Sequence, residues 1–121
     1  MPHTLYEEFR RLSPRVTGGL VRMREGTFVD AAVPARYKAL AALAVVVVGR
    51  CEPCIRAYTK MAFEKGATLD ELVEFLNVAM AEGGCPAEQW ALKAYEAYRH
   101  LASGGSIEED VCCVPEGTDE T

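Results

Sequence analysis

A chain of 121 residues and 13.2 kDa has room for one domain, and with half its residues hydrophobic it can bury a core without disulfide staples. The formal net charge of -5 resides at the C-terminus: from Ser103 onward stand Glu108, Glu109, Asp110, Glu116, Asp119 and Glu120 with no basic residue, against 12 acidic and 13 basic residues before them. A near-neutral body excludes the concentrated basic face of a nucleic-acid binder, and the longest apolar run, Ala39 to Gly49, is far short of the ~20 residues of a membrane span.

Met1-Pro2-His3 leads into a polar, amphipathic stretch rather than a secretory leader, so a soluble, cytoplasmic protein is expected. Every segment then reads as helix. Thr4-Leu5-Tyr6-Glu7 forms a capping box, followed by Leu5, Phe9 and Leu12 at helical spacing. Ser13-Pro14 starts a second helix lined by Val16, Leu20 and Met23. The arginines Arg10, Arg11, Arg15, Arg22 and Arg24 along this region read as a solvated face. Gly26 to Val33 reads as a loop. Pro34 opens a third helix through Tyr37, Leu40 and Leu43 to Val48, apolar all round from Ala39 on, which is the mark of burial on every side. Val45 to Val48 is β-branched, yet the Ala-rich lead-in and the lack of a partner strand favour helix. Gly49 is its expected stop.

Cys51-Glu52-Pro53-Cys54 follows at once and opens a helix to Lys65, with Gly66 behind it. Thr68-Leu69-Asp70-Glu71 is a capping box for a helix with one stripe at Leu69, Leu72, Val73, Leu76 and Met80 and a second at Phe75 and Val78. Two stripes exceed one core contact and point to a subunit interface. Gly83-Gly84 breaks this helix, and Cys85-Pro86 opens a sixth carrying Trp90, Ala94, Tyr95, Tyr98 and Leu101. Residues 1–102 are thus expected to form one all-α domain of about six helices, with an acidic, cysteine-containing tail over 103–121.

The chemistry concentrates on the C-x-x-C. Proline is tolerated in the first turn of a helix, so Pro53 sets Cys51 near the cap and Cys54 about one turn in. Unused backbone N–H groups and the positive end of the macrodipole favour an anion there, and a thiolate is one. Cys51, Cys54, Tyr58 and Met61 recur at three and four residues and share a face, with Ile55, Thr59 and Ala62 on a packing face beside it. A dithiol so placed suits thiol–disulfide cycling: one sulfur attacks as a thiolate and its neighbour resolves the product. Five cysteines, an odd number, argue for thiols kept reduced between chemical events rather than a disulfide framework.

A buried helix from Lys38-Ala39-Leu40, then Cys51-Glu52-Pro53-Cys54, then Gly66-Ala67-Thr68-Leu69-Asp70-Glu71-Leu72 resembles the alkylhydroperoxidase D / carboxymuconolactone decarboxylase family, over roughly Phe9 to Leu101. The resemblance implies an all-α, alkylhydroperoxidase-D-like fold assembled as homo-hexamers or trimers, with no cofactor. It implies a thiol-dependent peroxidase or disulfide reductase, in which Cys54 attacks a small hydroperoxide or disulfide and Cys51 resolves. A dithiol reductant of the thioredoxin-like or lipoyl type would restore the pair. A non-catalytic oligomeric redox sensor or scaffold is the alternative. Lactone decarboxylation ranks below both, because that branch lacks the cysteine pair.

Two departures from the family pattern bear on mechanism. Tyr58 stands where the peroxidase branch has a histidine, and Ala39 where it has a glutamate, so the proton relay is incomplete. Tyr58, with an unperturbed pKa near 10, can donate a hydrogen bond but is a poor base. Glu71, Glu74 and Glu82 on the following helix read first as ordinary surface or capping carboxylates, and are the candidates to substitute in the relay, Glu74 first. Cys85 reads as a small buried hydrophobe. Cys112-Cys113 reads as a tail extension or as a second dithiol that exchanges with Cys51. Zinc held by Cys51, Cys54, Cys112 and Cys113 is disfavoured, since vicinal cysteines suit one tetrahedral ion poorly. His3 and His100 read as surface or packing residues, and no metal is expected.

Overall fold

The computed structural model describes residues 5–107. The capping residue Thr4, His3, the acidic run from Glu108 and the pair Cys112-Cys113 lie outside the described residues. Among the described residues all regular structure is helical: α1 (Leu5–Leu12), α2 (Pro14–Thr27), α3 (Ala35–Val48), α4 (Glu52–Glu64) and α5 (Leu69–Ala102).

There are five helices rather than six, because the last two expected helices are joined without a loop. α5 holds 34 residues, which would span about 50 Å if straight. It is not straight. Gly84 leaves helical geometry at φ 72 and ψ -157, and Pro86, two residues on, has no N–H to give the preceding turn. Tyr98 then donates its hydroxyl to the carbonyl of Ala67 at 2.8 Å, beside the start of its own helix. The element therefore folds back at Gly84 into two arms, Leu69–Gly83 and Cys85–Ala102. Cys85, at this reversal, is exposed rather than a buried hydrophobe, because the turn directs it outward.

The core lies between α3, α4 and both arms of α5. Leu40, Leu43 and Val47 from α3, Ile55 and Ala62 from α4, and Leu72 and Ala94 from α5 are fully buried, at the three- and four-residue spacing of a helical stripe. Gly83 lies beside Val48, where an added Cβ would come within 3.3 Å of a Val48 methyl. At the other end of α3, the Tyr37 ring lies 6.4 Å from that of Phe75. The first arm of α5 thus runs parallel to α3, and α4, starting where α3 ends, runs antiparallel to both. The second arm follows α4, with Lys93 near Glu52 and Tyr98 against Phe63 at 5.3 Å between ring centroids.

Thr59 faces this core with a fully buried hydroxyl that has no hydrogen-bond partner. An unsatisfied buried hydroxyl costs about 1–3 kcal/mol, and valine has nearly the same shape. Thr59→Val is expected to raise stability by ~1 kcal/mol or more, seen as a higher urea midpoint at unchanged m-value. A lower midpoint would mean that the hydroxyl is satisfied.

α1 and α2 contribute no buried residue and pack on each other. The expected apolar face of α1 is present but uncovered: Leu5 is 83% exposed, Phe9 63% and Leu12 85%. α2 also runs further than expected, taking Gly26 and Thr27 into its last turn. The expectation that α3 is buried on every side is corrected. Val45 is 69% exposed and Val48 44%, because one chain supplies neighbours for only one flank of this helix. No described helix is long and apolar enough to cross a membrane.

Candidate functional site

Cys51 belongs to two helix ends at once. At the end of α3 its N–H bonds to the carbonyl of Val46 at 3.1 Å, while the N–H of Arg50 bonds to Val47 at 3.2 Å. This double closure is a Schellman stop. The same pair of bonds ends α4 at Gly66 (φ 92) and α5 at Gly104 (φ 95). At α3, however, the left-handed position is not the expected Gly49, which stays right-handed at φ -77, but Arg50 at φ 60. A residue with a Cβ pays about 1–2 kcal/mol for that conformation. Arg50→Gly is therefore expected to raise stability by ~1 kcal/mol, read as a higher melting temperature with the thiols reduced. A fall would show that the exposed guanidinium stabilises more than the strain costs.

The stop leaves no spacer before α4. Cys51 is extended at φ -101 and ψ 98, the N-cap of α4, and its carbonyl accepts the N–H of Ile55 at 2.9 Å. Glu52 and Pro53 fill the first two helical positions and Cys54 the third. The two cysteines, 5.2 Å apart between Cα atoms, are joined as a disulfide. Both cysteines are half-buried, and Cys54 packs against the core cluster.

Between the cysteines, Glu52 accepts from Arg56 at 2.8 Å and lies 3.7 Å from the ammonium of Lys93 on the second arm of α5. Lys93 also lies 5.2 Å from the centroid of the Trp90 ring. Exposed Arg50 precedes Cys51 directly in the chain, so Arg50, Glu52 and, through Glu52, Arg56 and Lys93 are the charged groups tied to the disulfide segment. Lys93 had no sequence signal, because its partner is 41 residues away in the chain.

Tyr58 lies one turn past Cys54, buried, with its ring 5.3 Å from that of Phe28. Ala39 is fully buried and fills the core. Glu71 is committed elsewhere. It closes the expected capping box, accepting the N–H of Thr68 at 3.0 Å while its own N–H bonds to the Thr68 hydroxyl at 3.1 Å. It also accepts from Tyr37 at 3.2 Å and lies 3.5 Å from Arg36. The Thr68 backbone bond, aided by Tyr37 and Arg36, holds its carboxyl below the ordinary range. Glu74 is exposed one turn further along. It therefore sits toward the Tyr37 end of the bundle, while the disulfide is at the Val48 end. Glu82, also exposed, adjoins Gly83 at the disulfide end. The structure thus brings together Cys51, Cys54 and Tyr58, and sets Glu74 apart from them. Among the described residues no group of three or more His, Cys, Asp or Glu is placed to hold a metal ion.

An uncharacterized protein of Cupriavidus necator is 35% identical over 65 residues, which cover 54% of this chain and 58% of that protein's length. An uncharacterized protein of the cox locus of Paracoccus denitrificans is 32% identical over 104 residues, 86% of this chain and 85% of that one. Among solved structures, a carboxymuconolactone decarboxylase family protein from Legionella pneumophila superposes with a TM-score of 0.73 at 29% identity, over 78% of this chain and 85% of that one. A Thermotoga maritima protein shares the fold with a TM-score of 0.68 at 23% identity, over 84% of this chain and 96% of that one. The sequence pattern of the carboxymuconolactone decarboxylase family matches residues 14–97, the span from α2 through the second arm of α5, and the chain belongs to that family.

Proposed function

We propose that this protein is a thiol-dependent oxidoreductase, a hydroperoxidase or disulfide reductase, working through Cys51 and Cys54. The observation that carries the reading is the disulfide across the N-cap and third position of α4, where the helix end favours a thiolate. In the reduced protein, the Cys54 thiolate attacks the terminal oxygen of a small hydroperoxide. The O–O bond breaks, the alkoxide leaves and takes up a proton, and Cys54 becomes a sulfenic acid. Cys51 then attacks the Cys54 sulfur, hydroxide departs as water, and the disulfide forms. A dithiol reductant, thioredoxin-like or lipoyl, reopens it by attack at Cys51, the resolving sulfur.

A second reading, a redox sensor without turnover, is favoured by the surroundings of the pair. Tyr58 is buried against Phe28, Ala39 is buried in the core, and Glu71 is tied to Thr68, Tyr37 and Arg36, so none of them is a free carboxylate or imidazole base. Thiol titration followed by peroxide consumption with a small dithiol separates the two. Sustained consumption supports the enzyme, and reversible disulfide formation without turnover supports the sensor. If neither cysteine reacts with oxidant, both readings fail.

A further inference from the structure

The cycle above gives no part to Lys93, yet this side chain meets the segment of the redox pair from another helix. Its ammonium lies 3.7 Å from Glu52 Oε1, while Arg56 donates to Glu52 Oε2 at 2.8 Å. Each oxygen of the carboxylate therefore faces one cation, Arg56 from α4 and Lys93 from the second arm of α5. Lys93 is itself held, with its ammonium 5.2 Å from the centroid of the Trp90 ring, which packs against the core cluster. All three charged side chains are partly exposed, so these ion pairs add little to stability. What they fix is where the carboxylate stands.

A helix turns by about 100° per residue, so Glu52 and Arg56 lie about 40° apart around α4, and Cys54 about 160° from each. Arg56 and Lys93 thus draw the carboxylate to the flank of α4 opposite Cys54, whose sulfur is bonded to that of Cys51. The tether is short all the same. Glu52 is next to Cys51 in the chain and two residues before Cys54, ~3.8 and ~5.4 Å between Cα atoms. A carboxylate released from its cations can turn back toward the sulfurs, well inside the ~8–10 Å Debye length. Reduction then puts a thiolate and a carboxylate on the first turn of one helix, where both compete for the same positive helix end. A like charge at that range raises the pKa of a thiol. The other charged side chains at this end of the bundle, Arg50, Glu82 and Glu88, are exposed to solvent, and Tyr58 is buried against Phe28.

We infer that Lys93 is a positioning residue for the redox pair: it holds the Glu52 carboxylate, neutralised, on the far flank of α4, so that the reduced pair ionises to a thiolate near neutral pH. The inference rests on the redox reading of that pair. Arg56, an i, i+4 partner on the same helix, offsets the charge of Glu52. Lys93, anchored on a second element, also ties the carboxylate to one side. It acts through Glu52, and the thiol proton passes to water.

The test is the pH dependence of alkylation by iodoacetamide in the reduced full chain. Trypsin, cutting after Arg50 and Arg56, isolates the Cys51–Arg56 peptide, so its modification is read apart from the other cysteines. Lys93→Met is expected to raise the lower apparent pKa of the pair by about half a pH unit, seen as roughly threefold slower alkylation at pH 7. Lys93→Arg should keep the wild-type value, and Glu52→Gln should lower it by a similar amount. In the Glu52→Gln background Lys93→Met should move the pKa by less than half as much, because the group it positions is gone. No shift on Lys93→Met in the folded protein overturns the inference. An equal shift in both backgrounds also overturns it, since Lys93 would then act on the thiolate directly. The readout uses no peroxide. The expected pattern in a protein that consumes no peroxide would remove the proposed turnover and leave this role standing, and turnover without the pattern would do the reverse.

Discussion

Cys54→Ser is expected to lower peroxide consumption below detection, while Cys51→Ser halts the cycle one step later. The two variants differ in what accumulates. Without Cys51, Cys54 is left as a sulfenic acid that a dimedone-type nucleophile will label; without Cys54, no sulfenic acid forms at Cys51 for it to label. Labelling at Cys51 in the Cys54→Ser protein would reverse the assignment of attacking and resolving sulfur. Wild-type turnover is itself expected to be slow, because a positioned general base commonly contributes ~10²–10⁴-fold and Glu52, the carboxylate between the two cysteines, is engaged by Arg56 and Lys93. Tyr58→His should restore part of it, at least tenfold. The ring replaced is buried against Phe28, so folding must be checked by the thermal midpoint. An unchanged rate in a folded Tyr58→His protein would place the base elsewhere. Glu82, at the disulfide end of α5, would then be tested before Glu74.

The second large effect concerns assembly. We expect a homo-oligomer, hexamer first and trimer second, held in part by the apolar face that α1 leaves uncovered. Leu5, Phe9 and Leu12 on α1, Val16 and Met23 on α2, Val45 on α3 and Val78 on α5 are each more than half exposed in the single chain. Covering one Leu or Phe side chain contributes about 1.5–3 kcal/mol. Phe9→Asp with Leu12→Asp removes two such terms and places charges where the partner packs. The loss of ~5 kcal/mol corresponds to roughly a 10³–10⁴-fold weaker interface. Light scattering should then show the wild type at a multiple of 13.2 kDa and the double variant as a smaller species. Because neither side chain is buried within the chain, circular dichroism of the core should hardly change. A wild-type particle of 13.2 kDa at micromolar concentration would refute the assembly.

Much of this protein could be read from short windows of its sequence, and the reason is physical. Caps, prolines and left-handed stops act within a few residues, so Thr68 with Glu71, Pro53 behind Cys51, and Gly66 announced their helix ends without reference to the rest of the fold. Helical periodicity likewise identified Leu40, Leu43, Leu72 and Leu76 as core and placed Cys51, Cys54 and Tyr58 on one face. Even locally there was a limit: glycine marked the end of α3, but the backbone spent its left-handed residue on Arg50.

The relations between distant segments were decided only by packing. The reversal at Gly84 lays the second arm of α5 beside α4, which is what carries Lys93 to Glu52, between the two cysteines of the disulfide. The same topology sends Glu74 toward the far end of the bundle and engages Glu71 with Tyr37 and Arg36. It also leaves one flank of α3 bare, although its sequence is apolar all round. A hydrophobic pattern states that a face must be covered; which segment covers it depends on the tertiary arrangement of the whole chain.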